Sequence, residues 1–257
     1  MFTFSKRMSI LLGAAAISLA AMAQTDFVKS SGETYYVGYG PNGNVSFVSV
    51  GKANHDKPSP STPGLKAVDE ALFAITGMKV DNNGNVIFNY LPGDNFKQVS
   101  AAEFKEALAT KPQSASRVES SISKFAETPN YLTLRATSYT KSLNPDAYDF
   151  GTVEFVNYNK KTDAIIDYFD VFNASAERRL REMIYPLAAK KYRLTVKSPD
   201  EIEIMQNFGL SPQGVTFVFP ESTIAPGNAG IPEILLTWDQ LRRAGTLADG
   251  VNAIIGN

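Results

Sequence analysis

The 257-residue sequence has no cysteine and a single histidine. Without cysteine there is no thiolate nucleophile, no sulfur-ligated zinc, no disulfide and no thiol to carry a lipid. The lone histidine, His55, falls in the Pro- and Ser-rich stretch Lys52 to Gly64, which reads as a solvated loop with His55 exposed. A Ser-His-Asp site needs an imidazole held by packing, so that placement speaks against one. Zinc would find at most one nitrogen ligand. Asp81-Asn82-Asn83-Gly84 puts its glycine too early for a calcium loop, and no glutamate closes it; a hairpin turn fits better. No metal and no cofactor is expected from any motif. No apolar run reaches the roughly 18 residues of a spanning helix, so no membrane span is expected. An excess of charge is also missing: 25 Lys and Arg stand against 26 Asp and Glu. That balance gives no electrostatic case for nucleic acid.

What is present begins with an address. Lys6-Arg7, the apolar stretch Met8 to Ala20 and the small residues of Ala21-Met22-Ala23 form the three parts of a secretory signal. Residues 1–23 are read as that signal, cut after Ala23, with a bacterial periplasm or the extracellular side as destination. Of the 25 basic residues, losing Lys6 and Arg7 leaves 23, against 26 acidic ones. With no disulfide available, an exported chain of this length must be held by its hydrophobic core.

Three regions follow. Residues 24–126 read as hairpins and helices. Asn42-Gly43-Asn44-Val45-Ser46-Phe47 and Asn83-Gly84-Asn85-Val86-Ile87-Phe88 share one pattern, and Asn-Gly between alternating runs predicts a hairpin at each. Leu65, Val68, Leu72 and Ile75 share a helical face. Ser100 with Glu103 forms a capping box, and Val118, Ile122 and Phe125 suggest a third helix. In residues 127–245, strands are expected over Tyr131 to Tyr139, Gly151 to Tyr158 and Ala164 to Phe169. Ser175 can then cap a helix carrying Leu180, Met183, Ile184 and Leu187, which Pro186 should kink or restart. Gly214 to Arg243 reads as a half-buried strand, a stiff turn, a second strand and a helix opened by Thr237 and Gln240. Residues 246–257 are left as a C-terminal tail.

The strand, Lys-rich turn and strand from Val153 to Phe169, the helix after them, and the pieces Gly214 to Phe219, Ile224-Ala225-Pro226 and Ala229 to Ile234 resemble the domain of unknown function 3298. With the Tyr131 to Leu134 strand, the likeness spans about Asn130 to Ala244. That family forms the extracytoplasmic part of lysozyme-sensing anti-sigma factors and accompanies some peptidoglycan deacetylase domains. The resemblance implies an α+β fold, an antiparallel sheet with helices packed on one face, and a non-catalytic role. This chain departs from the family's pattern at Gly227-Asn228, and at Ser142 to Asp149, where a Gly-Gly-Ala-His segment is usual.

The expected function is therefore a secreted, non-enzymatic envelope protein that binds a protein or peptidoglycan ligand, with a lysozyme-like protein or a cell-wall component as candidate. Tyr35, Tyr36 and Tyr39 could line a carbohydrate-binding face if exposed. Ile224, Pro226 and Asn228 are binding candidates in a turn that is most simply structural. The competing reading is a carboxylate-dependent hydrolase of cell-wall carbohydrate, which needs two facing acids drawn from Glu154, Asp163, Asp167 and Asp170.

Overall fold

The computed structural model describes residues 25–89, 96–143 and 149–256; the expected signal, 1–23, lies outside them. Its elements are β1 (Phe27–Tyr39), β2 (Val45–Pro58), α1 (Pro63–Thr76), β3 (Met78–Val80), β4 (Val86–Phe88), β5 (Phe96–Val99), α2 (Ala101–Ala109), β6 (Ser114–Glu127), β7 (Tyr131–Ser142) and β8 (Phe150–Asn159). Then come β9 (Ala164–Ile165), α3 (Tyr168–Val171), α4 (Ala176–Lys191), β10 (Phe208–Ser211), β11 (Gly214–Val218), β12 (Glu233–Thr237), α5 (Trp238–Ala244) and α6 (Val251–Ile255). A seven-stranded sheet runs β5-β1-β2-β6-β7-β8-β9, antiparallel except where β2 pairs with β6. A smaller sheet runs β10-β11-β12, and β3 pairs with β4.

Local chemistry sets the turns. Gly43 and Gly84, the glycines of the two repeated strings, both adopt positive φ, which residues with a Cβ resist. In the second turn the Asp81 carboxylate also accepts from the backbone N–H groups of Asn83 and Asn85. Thr62 caps α1 by accepting from Leu65 N, with Pro63 in the first turn. Ser100/Glu103 and Thr237/Gln240 close capping boxes on α2 and α5, as expected.

Side chains of a strand alternate between faces, and the core clusters follow that alternation. Ile122, Leu132, Leu134, Ala136, Val156 and Tyr158 pack under α1. On the other face, Val37, Val48, Val50 and Ala115 pack under α2, while Val153 and Phe155 meet Val218 of the small sheet. The outer side of β11 carries Val215 and Phe217 into a core with Leu180 and Ile184 of α4. The layers beside β8 are thus α1, large sheet, small sheet, α4. The α+β class stands. The helices, expected on one face, divide between both, because the large sheet is apolar on each side.

Several expectations change. His55 is in β2 rather than a loop and is 2% exposed, because Gly51, Ala53 and His55 alternate inward before the prolines begin. Residues 114–127 form β6, not a third helix. Val118 and Ile122 lie four apart, a spacing that suits a helix and equally one strand face, and buried Ser120 between them hid the period of two. The strand expected to Phe169 stops at Ile165, because Asp167 donates its N–H to Asp170 Oδ2, 2.8 Å, and opens α3. β11, expected half-buried, is buried on both faces, as a strand between a sheet and a helix must be. The helix of Ser175 runs through Pro186 without a break, and the Ser175 hydroxyl turns to Asn173 Oδ1 instead of capping.

The seven-stranded sheet continues through residue 126, since β6 pairs with β2 on one side and β7 on the other. The C-terminal residues are docked as well. Val251 and Ile254 of α6 are buried, and Thr246 Oγ1 donates to Leu241 O.

Candidate functional site

β8 holds the site. Its inner edge pairs with β7 over its full length, but its outer edge carries β9 only at Tyr158 and Asn159. Toward the other end, residues 151, 153, 155 and 157 turn their backbone groups outward, by the two-residue alternation of a strand. Asn157 O accepts from Ile166 N, 2.8 Å. Phe155 N donates to Asn207 Oδ1, 3.1 Å, and Asn207 Nδ2 donates to Val153 O, 2.7 Å. One side-chain amide therefore does what a peptide group of a neighbouring strand would do. Beyond it, the N–H and C=O of Gly151 and the N–H of Val153 have no partner among the described residues.

Three concavities line this edge. The largest, about 330 Å³, lies between β8 and a wall of Met205, Gln206, Val218, Pro220 and Ile231. A second, about 200 Å³, shares Phe155 and Gln206 with it and reaches Tyr168. A third shares Phe150 and Thr152 with the first and Ile75 with the second. The first two form a trough along the β8 edge, between α1 and the small sheet, and the third lies beside it over the α1-facing side of β7 and β8. Two glycines make the close approaches possible. A Cβ on Gly151 would stand 2.5 Å from the Tyr139 ring, and one on Gly209 would stand 2.8 Å from the Phe155 ring.

The polar groups in the trough are few. Glu154 is half-buried, makes no hydrogen bond or ion pair among the described residues, and has its carboxyl pKa pushed up by desolvation. The Tyr168 hydroxyl is buried without a partner among the described residues, and burial pushes its pKa up to about 12. Phe150, 56% exposed, stands at the mouth. No lysine or arginine lines the three concavities. A half-buried, uncompensated carboxylate beside unpaired backbone groups suits a ligand that brings a cation and hydrogen-bonding groups of its own.

Apart from Glu154 and Asp167, the residues singled out from sequence lie elsewhere. Tyr35 and Tyr39 face α2, where Tyr35 packs on Phe104 at 5.1 Å and its hydroxyl bonds Glu33. Tyr36 faces the opposite way, against Phe88, donating to Val86 O at 2.7 Å. The three do not form one surface. Ile224 is 2% exposed and its carbonyl accepts from Thr195 N; Pro226 is half-buried and Asn228 exposed.

The four acids are not gathered either. Asp163 accepts from Thr62 Oγ1 at 2.5 Å, Tyr158 OH at 2.6 Å and Gly64 N at 3.2 Å, which ties α1 to the β8–β9 turn and holds its carboxyl below the usual range. Asp167 and Asp170 serve the start of α3. Glu154 is four residues from Tyr158, about 13 Å along the strand.

Glu154 inside the apolar run Val153 to Val156 was a visible signal, a charge where a strand buried on both faces wants none. Asn207, Gln206 and Tyr168 gave no such signal, because their roles depend on what folds against them.

Residues 160–239 match the model of a family described as protein of unknown function (DUF3298). The match runs from the end of β8 into α5, a narrower span than Asn130 to Ala244. No curated protein matches the chain. A solved DUF3298 family protein from Pseudomonas aeruginosa PAO1 is 15% identical over 89% of this chain and 96% of that one, with a TM-score of 0.54. A solved member of the same family from Bacteroides fragilis is 14% identical over 91% of this chain and 96% of that one, with a TM-score of 0.55. The chain is thus similar in sequence over residues 160–239, and in fold over 89% to 91% of its length, to the DUF3298 family of proteins of unknown function.

Proposed function

We propose that this chain is an exported, non-enzymatic binding protein of a bacterial envelope, and that it takes a protein or peptidoglycan ligand in the trough along β8. The observation that carries this reading is Glu154, a half-buried carboxylate with no partner among the described residues, beside open backbone groups. Such a group raises the energy of the empty protein and is relieved by a complementary ligand. Export rests on the Lys6 to Ala23 pattern, and the ligand class on the DUF3298 resemblance.

The test is capture of residues 24–257 by immobilised c-type lysozyme and by insoluble peptidoglycan, at about 0.1 M and about 1 M salt, where the screening length falls from about 10 Å to about 3 Å. Retention on either that survives the higher salt supports a binding role, and retention on neither refutes it.

A second reading, a hydrolase of cell-wall carbohydrate, draws on the same residue, since a glycosidase acid needs a raised pKa. It also needs a second carboxylate about 5 to 10 Å away; Asp163 is held by Thr62 and Tyr158 and Asp170 by the start of α3, while Asp167 lines the second concavity. Release of reducing sugar from peptidoglycan, abolished by Glu154→Gln, would establish it.

A further inference from the structure

We propose that the trough binds an extended polypeptide segment as an added strand on β8, with a lysine or arginine of that segment set opposite Thr152 and diagonal to Glu154, and apolar residues on either side of it. The proposal rests on the binding-protein reading above and names the occupant of that site.

The backbone supplies the first half of the argument. Gly151 N–H, Gly151 C=O and Val153 N–H point out of the β8 edge in the spacing of a sheet ladder, without partners among the described residues. The next place along the edge is filled by an amide, that of Asn207, bonded to Val153 O and Phe155 N. The edge thus accepts amides in strand geometry at one position and leaves the adjoining one open. A polypeptide in extended form is the ligand that repeats an N–H and a C=O at that interval. A glycan strand of peptidoglycan carries its amides only as pendant acetyl groups on each sugar, not in its backbone at the spacing of a strand.

The side chains supply the second half. Glu154 points to the α1 side of the sheet, with Val156 and Tyr158, while Val153 and Phe155 point to the other side, toward Val218 and Ile231. An added strand obeys the same alternation. Its residue at the open position, opposite Thr152, points to the same side as Glu154, and a lysine or arginine there reaches that carboxylate diagonally, about 7–8 Å away between Cβ atoms. Its two neighbours point the other way, toward Val218, Pro220 and Ile231. No lysine or arginine lines the trough beside that carboxylate. The complementary segment reads apolar–basic–apolar.

The probes are two pools of labelled heptapeptides with valines at positions 3 and 5, randomised ends, and either lysine or glutamate at position 4. Binding to the purified protein is read by fluorescence anisotropy. The lysine pool should bind at least about tenfold more tightly than the glutamate pool, the size of one charge-assisted contact. Glu154→Gln, which removes a desolvated charge and so should fold, should bring the ratio close to one. N-methylation settles the geometry. Methyl groups on one alternating set of peptide nitrogens should abolish binding, and on the other set should leave it, since alternate N–H groups of an added strand face the edge.

Equal tolerance of both methylated sets would overturn strand addition. So would a lysine preference that persists in Glu154→Gln, or failure of both pools alongside retention on glycan strands stripped of their stem peptides. Failure of the pools with intact capture of lysozyme or peptidoglycan would refute this inference and leave the binding-protein reading standing.

Discussion

Acidification should destabilise this protein in part through His55, and the size of that part follows from where His55 sits. Its ring is 2% exposed between β2, β6 and the layer above them, with Nε2 and Ser120 Oγ at 2.7 Å. Burial, and next the charge of Lys57, lower its pKa from 6.5 to about 4, while Asp69 opposes them. The folded state therefore holds a neutral imidazole at a pH where the unfolded chain is protonated. The unfolded chain binds the extra proton, so stability is lost as pH falls from about 6.5 to about 4 and the loss then levels off. The two pKa values give a loss, relative to pH 7, of about 2 kcal/mol at pH 5 and about 3 kcal/mol at pH 4. With a urea slope of about 2 kcal/mol per M, the midpoint should drop by about 1 M between pH 7 and pH 5.

The assay is urea unfolding at half-unit pH steps for the wild type and for His55→Gln, which keeps a hydrogen-bonding group and cannot titrate. As the chain has one histidine, the difference between the two profiles isolates it. Glu154, whose raised pKa works in the opposite direction, contributes equally to both and cancels. Parallel profiles for the two proteins would refute the reasoning, because a buried neutral imidazole could not then be what the fold protects.

Four further outcomes are expected. Asn207→Ala leaves Val153 O and Phe155 N without partners and should cost about 2 kcal/mol, or about 4–8 °C in Tm by calorimetry. Leu180→Ala opens a cavity in the α4 core and should cost about 3 kcal/mol in urea unfolding. Gly64→Ala would set a Cβ 2.1 Å from Asp163 O, and the overpacking should cost about 3 kcal/mol, with amide exchange rising first in α1 and the β8–β9 turn. Glu154→Gln should raise Tm at pH 7 and lose that advantage as pH falls through the carboxyl's raised pKa, since the charged form is the one that burial disfavours. A Tm lower than wild type at pH 7 would place an unseen cation beside Glu154.

Much of the fold was legible locally. The capping boxes at Ser100 and Thr237 and the two Asn-Gly-Asn turns appear where the sequence puts them, because each is decided by three or four consecutive residues. The errors arose where a partner far along the chain decides. Ser120 is buried because His55, 65 residues away, bonds it, and that pairing turned an apparent helix into β6. β11 became buried on both sides because the large sheet and α4 meet it from opposite directions. The candidate site follows the same rule. Glu154 was named only as one of four acids, and the open edge beside it exists only because β9 stops pairing after Tyr158 and Asn207 folds back from 52 residues away.

The most direct test of the site is hydrogen–deuterium exchange of the protein with and without a saturating captured ligand, lysozyme or solubilised peptidoglycan. If the ligand enters the trough, peptides covering residues 149–156 should gain protection at Gly151 and Val153, whose N–H groups are open in the free protein, while β1 and β5 at the far side of the sheet stay unchanged. Binding with no change at residues 149–156, and protection at Tyr35 to Tyr39 or at Ile224 to Asn228 instead, would contradict a site on β8.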